Sequence, residues 1–284
     1  MIAALTAALS LAAVQTPAAE APPVQPIRAS KIILVGDSTT AVVGGWGPSF
    51  CAYHVTSFAA CLNLARGGRS SGSYVPEGSW DLALSEMSTP GFAATYVLIQ
   101  FGHNDQPGKP GRSTDLATEF PANLKRYVVE TRARGATPIL LTPLVRRQFV
   151  DGRLQNDLAP WAEAVRAVAR ETNTPLVDLN RASAETVQAL GPALSARFAQ
   201  AAPSPEVAAA LLTGTTIASS TGVLAVPGAP TPTTQNNAAV EPLGQARVSF
   251  DYTHVGREGA DFFSALVTRD LIEAVARMRR LLIP

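Results

Sequence analysis

The stretch Lys31-Ile-Ile-Leu-Val-Gly-Asp-Ser-Thr-Thr40 decides how the chain is read. Its apolar, β-branched run, Ile32 to Val35, breaks off at Gly36-Asp37-Ser38. A buried strand ends this way when it enters a tight turn and delivers one hydroxyl to the carboxyl edge of a sheet. Ligands of open α/β sheets gather at that edge. Ser38 is therefore a nucleophile candidate, provided the rest of the chain supplies a base and an oxyanion site.

Further strands follow at Leu62–Leu64, Tyr96–Phe101, Thr137–Leu141 and Pro175–Leu179. Helices are expected over Pro121–Arg134, Asp157–Glu171 and Glu258 to about Arg280. Proline in a first turn and Gly135 as a stop mark the first of them. Leu124, Tyr127 and Val128 share its inner face, Trp161, Val165 and Val168 that of the second, and Phe262, Leu266, Leu271 and Val275 that of the third. Alternating strands and helices imply an α/β fold with a parallel sheet covered on both faces.

Of 284 residues, 46% are apolar and 16% charged, with a formal charge of +1, so one sizeable core is affordable and no nucleic-acid footprint is visible. Arg277, Arg279 and Arg280 suit the last turn of a terminal helix. Met1 to about Ala21 is Ala/Leu-rich with small residues at Ala19 and Ala21, the pattern of a secretory leader too short to span a membrane. The chain is thus expected to be exported, with a folded part over 27–284 and no membrane association once the leader is removed. Cys51 and Cys61 either pair, closing a short loop worth at most ~2–3 kcal/mol, or are two small buried residues. Residues 203–244 turn rich in Ala, Thr, Pro, Gly and Ser, with a short helical patch near Glu206–Leu212 and a loop over Ala225–Asn237. This segment reads as an insertion rather than a second domain.

Asp251-Tyr-Thr-His254 offers a carboxylate that can hold an imidazole by one nitrogen while the other faces a nucleophile. Two stretches that follow strands should reach the same edge. Gly67-Gly68-Arg69-Ser70 exposes backbone N–H groups, and Gly102-His103-Asn104-Asp105 offers a side-chain amide. Such donors converging near a serine form an oxyanion hole.

In order and spacing, Gly36-Asp37-Ser38, Gly68, Gly102-x-Asn104-Asp105 and Asp251-x-x-His254 resemble the four blocks of the SGNH (GDSL) hydrolase superfamily. Gly45-Trp-Gly47, Asn63 through Ser71, Glu77-Gly-x-Trp-Asp81, Gln100 through Gln106 and Thr142-Pro143 are similar to rhamnogalacturonan acetylesterases, although Ser79 stands where relatives often carry a basic residue. The resemblance implies a flavodoxin-like three-layer α/β/α sandwich around a five-stranded parallel sheet, without cofactor or metal. It also implies a serine esterase that removes acetyl groups from a pectic polysaccharide through an acetyl-enzyme; the chain is expected to act as a monomer. Ser38, Asp251 and His254 would be catalytic, and the oxyanion hole would comprise Ser38, Gly68 and Asn104. Arg69, His103 and Trp80 are candidates for substrate contact, with Trp46 and Tyr74 as further sugar platforms and Arg146 or Arg147 as further carboxylate partners. Asp37 and Asp105 should brace their loops.

Rival readings are an esterase of other acetylated glycans, a lipase, and a catalytically idle carbohydrate binder. Retention of all four signature positions argues against the last. A nucleotide-binding fold is excluded because Gly-x-Gly-x-x-Gly is absent.

Overall fold

In the computed structural model, residues 27–219 and 248–284 are described. The expected leader and the Ala225–Asn237 loop lie outside them. Along the chain the strands are β1 (Ser30–Gly36), β2 (Ala59–Asn63), β3 (Thr95–Gln100), β4 (Thr137–Leu141), a small antiparallel pair β5 (Phe149–Val150) and β6 (Arg153–Leu154), and β7 (Leu176–Val177). The helices are α1 (Gly47–Ser49), which runs into a π-helical turn (Phe50–His54), α2 (Ser79–Met87), α3 (Glu119–Ala133), α4 (Ala159–Glu171), α5 (Leu179–Ser195), α6 (Pro205–Leu212) and α7 (Arg257–Ala274).

Five strands form one parallel sheet in the order β2-β1-β3-β4-β7. Side chains alternate across a strand, and β1 feeds two cores in turn. Ile32 and Leu34 join Leu98, Ile139 and Leu141 against Phe263, Val267 and Leu271 of α7. Ile33 and Val35 join Val97, Ile99 and Leu140 against Trp80 of α2, Tyr127 of α3 and Trp161 of α4. The result is a three-layer α/β/α sandwich. The chain leaves β1 toward β2 and returns on the other side to β3, which makes the gap between β1 and β3 the topological switch point.

Several boundaries move. The last strand keeps only two residues, because Asp178 leaves it to cap α5 by accepting the Arg181 amide. Helix α7 ends at Ala274, and Arg277, Arg279 and Arg280 fall in a following 3-10 turn (Ala276–Leu281) rather than in the helix. Leu271 and Val275 are buried as expected, but in the first half of the helix the buried residues are Phe263 and Val267, one position on from the expected Phe262 and Leu266, which are only half-buried. Helices α2 and α5 were not anticipated. Gly78 starts the former at a left-handed φ of 82°, and Gly191-Pro192 breaks the helical pattern of the latter. Cys51 and Cys61 are bonded to each other, which settles the two readings of these cysteines in favour of pairing.

The patch near Glu206–Leu212 is α6. It does not stand apart from the rest of the fold: Val207 and Leu211 pack with Phe250 and Tyr252, beside the Asp251–His254 stretch.

Candidate active site

Ser38 follows β1 directly, in a turn closed by the amides of Thr40 and Ala41 donating to the Asp37 carbonyl at 3.2 and 3.0 Å. The Asp37 carboxylate accepts the Thr39 amide at 2.9 Å and the Thr39 hydroxyl at 2.8 Å. At the end of β3, the Gln100 side-chain amide oxygen, Oε1, accepts from the Thr40 hydroxyl and the Trp46 indole, both at 2.7 Å. Gln100 thus ties the neighbouring strand to the serine turn across the switch point. Sequence reading assigned it no role; the available signal was a polar residue closing an otherwise apolar strand.

The second loop turns at Gly68, whose φ of 76° suits glycine. The third brings in Asn104, whose Nδ2 donates to the Arg69 carbonyl at 3.0 Å, so the two loops are tied together. Asp105 braces the same junction. It accepts the Ser71 amide at 3.0 Å, the Ser71 hydroxyl at 2.6 Å and the Thr114 hydroxyl at 3.0 Å, and burial pushes its pKa up to about 7 against those donors.

The fourth loop carries Asp251 and His254. Asp251 Oδ2 lies 2.7 Å from His254 Nδ1, while its Oδ1 accepts the amides of Thr253 and His254 at 2.7 and 2.6 Å. Burial works to raise the Asp251 pKa, but His254 and these amides hold it below the usual carboxylate range. With Nδ1 engaged, His254 has Nε2 left for another partner. Gly44, in the loop that continues from Ser38, accepts the Val255 amide at 2.9 Å. A Cβ on Gly44 would stand 3.2 Å from the His254 ring, so glycine lets the two loops close on each other. The serine loop and the imidazole are therefore neighbours on one edge. No hydrogen bond joins the Ser38 hydroxyl to His254 among the described residues.

Arg147 fixes this fourth loop from below. It is 1% exposed, and its Nη2 donates to the carbonyls of Asp251 at 2.9 Å and His254 at 2.8 Å. The reading of Arg147 as a carboxylate partner is corrected accordingly: this guanidinium holds backbone. Arg146 pairs with Asp157 and donates to Thr253.

Three expected substrate contacts also lie below the surface. Arg69, 2% exposed, is ion-paired to Glu77 at 2.7 Å and donates to the Gly67 carbonyl at 2.8 Å. Trp80 is fully buried, its indole N–H donating to Glu130 and its ring packed edge-on against Tyr127. His103 is buried under the serine turn with Nδ1 3.4 Å from Asp37, and burial holds its imidazole below the usual range. Burial also works to raise Asp37, but His103 and Thr39 prevail and keep it ionised. Trp46 and Tyr74 are core residues as well, not platforms.

A parallel sheet that carries a serine turn, a histidine–carboxylate pair and backbone and amide donors on its carboxyl edge has the parts of a serine hydrolase. The chain belongs to the GDSL-like lipase/acylhydrolase family, whose model matches residues 34–199, and it is a carboxylic ester hydrolase. The probable rhamnogalacturonan acetylesterase YesY of Bacillus subtilis (strain 168) is 35% identical over 158 residues, 53% of this chain and 70% of its own. Rhamnogalacturonan acetylesterase RhgT of the same organism is 35% identical over 176 residues, 59% of this chain and 72% of its own. Among solved structures, YxiM of Bacillus subtilis shares the fold with a TM-score of 0.58 at 23% identity, covering 88% of this chain and 58% of that one.

Proposed function

We propose that this protein is a polysaccharide acetylesterase acting on rhamnogalacturonan. The observation that carries the chemistry is the 2.7 Å Asp251–His254 pair, held beside the loop that continues from Ser38. Ser38 Oγ attacks the acetyl carbonyl while His254 Nε2 takes its proton, and Asp251 fixes the tautomer and stabilises the imidazolium. Ser–His contacts of this kind commonly tighten only when substrate binds. The N–H groups of Ser38 and Gly68 and the Asn104 amide receive the oxyanion. His254 then protonates the departing sugar oxygen, and water activated by His254 clears the acetyl-enzyme.

The substrate assignment is supported by two relatives named for rhamnogalacturonan, each 35% identical. Export of the mature chain fits the Ala/Leu-rich start and the Cys51–Cys61 bond, since disulfides persist in oxidising compartments. Acetate release from acetylated rhamnogalacturonan, homogalacturonan and xylan, alongside hydrolysis of a long-chain p-nitrophenyl ester, tests the assignment. Rhamnogalacturonan should give the highest kcat/KM. A preference for xylan or for the long-chain ester would replace the reading with one of its rivals.

A further inference from the structure

Three of the guanidinium groups near the serine-bearing edge are committed. Arg69 is paired with Glu77, Arg146 with Asp157, and Arg147 with loop carbonyls. Arg112, in the loop between β3 and α3, forms no ion pair among the described residues. Its Nη1 reaches the Gly68 carbonyl at 3.4 Å and Asn104 Oδ1 at 3.5 Å, both at the outer limit of hydrogen bonding, and its Nε is buried without a partner. The same guanidinium lines a polar cavity of about 600 Å³, together with Ser73, Thr114 and Asn123. That volume lies within the ordinary range of ligand pockets.

Arg112 has the cations Arg69 and Lys109 for electrostatic neighbours. Burial and the neighbouring Arg69 both push its pKa below the usual value, while Lys109 is pushed down to about 8 by burial, Arg146 and Arg112, with Asp37 and Asp157 opposing. Two carboxylates line the cavity. Glu77 is ion-paired to Arg69, whereas Glu119 accepts the Asp115 amide at 2.7 Å and keeps its charge.

We propose that Arg112 binds a carboxylate of the substrate in this cavity, placing a uronate unit beside the sugar whose acetyl group meets Gly68 and Asn104. This inference rests on the rhamnogalacturonan reading and gives it a physical cause, since a guanidinium next to the oxyanion site favours a chain of acidic sugars over neutral xylan. Arg112 is then a specificity residue rather than a catalytic one.

The test compares kcat/KM on acetylated rhamnogalacturonan oligosaccharides with free carboxylates and on the same oligosaccharides methyl-esterified, for wild type, Arg112→Gln and Arg112→Lys, with folding checked by circular dichroism. Wild type should prefer the free acid. Arg112→Gln should lose about 10- to 100-fold on the free acid, mostly in KM, and much less on the ester, so that the preference collapses. Arg112→Lys should keep part of it. Equal losses on both substrates would overturn the proposal and leave Arg112 as a support for Asn104; so would a wild-type preference persisting in Arg112→Gln. Both of these outcomes leave the rhamnogalacturonan reading standing. A wild type that ignores the carboxylate and prefers acetylated xylan would defeat that reading as well.

Discussion

Asp105 is a carboxylate whose protonation state the fold contests. Its folded pKa of about 7 lies above the ordinary 3.8 because burial outweighs the Ser71 and Thr114 donors. A raised carboxyl means that the folded chain holds the proton more tightly than the unfolded one. The resulting stability is full below about pH 4 and lost as pH rises through about 7. Asp105→Asn should therefore flatten the fall in unfolding free energy between those limits, by up to roughly 4 kcal/mol, in urea midpoints measured across the range. Parallel curves for the two proteins would show that the donors keep Asp105 ionised. At this scale the sequence announces which residues can do chemistry, and Ser38, Gly68, Asn104, Asp251 and His254 do lie on loops of one edge. It is silent on which side chains reach solvent. Arg69 is buried with its charge met by Glu77, and Trp80 packs in the core with its N–H met by Glu130, pairings that emerge only once the chain is folded.

Among the elements, the fourth loop depends on a buried cation. Burial brings the Arg147 pKa down to about 10, so the group is still charged at neutral pH, and it satisfies the carbonyls of Asp251 and His254. Arg147→Met would leave both acceptors unpaired, for an expected loss of roughly 2–5 kcal/mol in chemical denaturation and at least a tenfold fall in kcat. Arg147→Lys, which keeps the charge but not the fork, should fall between them. A normal midpoint with normal turnover in Arg147→Met would mean that the loop holds itself. The strands were legible because their apolar runs are short, dense and ended by glycine or polar turns; β4 falls on Thr137–Leu141 as expected. Helix α5 was not, since Gly191-Pro192 interrupts its period. The role of α6 was hidden for another reason: its partners Phe250 and Tyr252 lie about forty residues further along the chain.

Over the whole molecule, the order β2-β1-β3-β4-β7 makes β1 and β3 neighbours, paired as far as Gly36 and Gln100, whose onward connections leave to opposite sides. That topology brings a serine turn near residue 38 and an imidazole at residue 254 to one rim, with Gln100 and Gly44 as the physical ties. Alternating strands and helices in the sequence already imply the layers, but not which loops touch. In the proposed mechanism one hydroxyl becomes acylated with that imidazole as its base. The most direct test is intact-protein and peptide mass spectrometry after exposure to the organophosphate paraoxon, which labels activated serines. A single adduct is expected, mapped to Ser38, absent from Ser38→Ala and formed far more slowly in His254→Ala. An adduct on another residue, or Ser38→Ala labelling and hydrolysing acetyl esters at the wild-type rate, would contradict it.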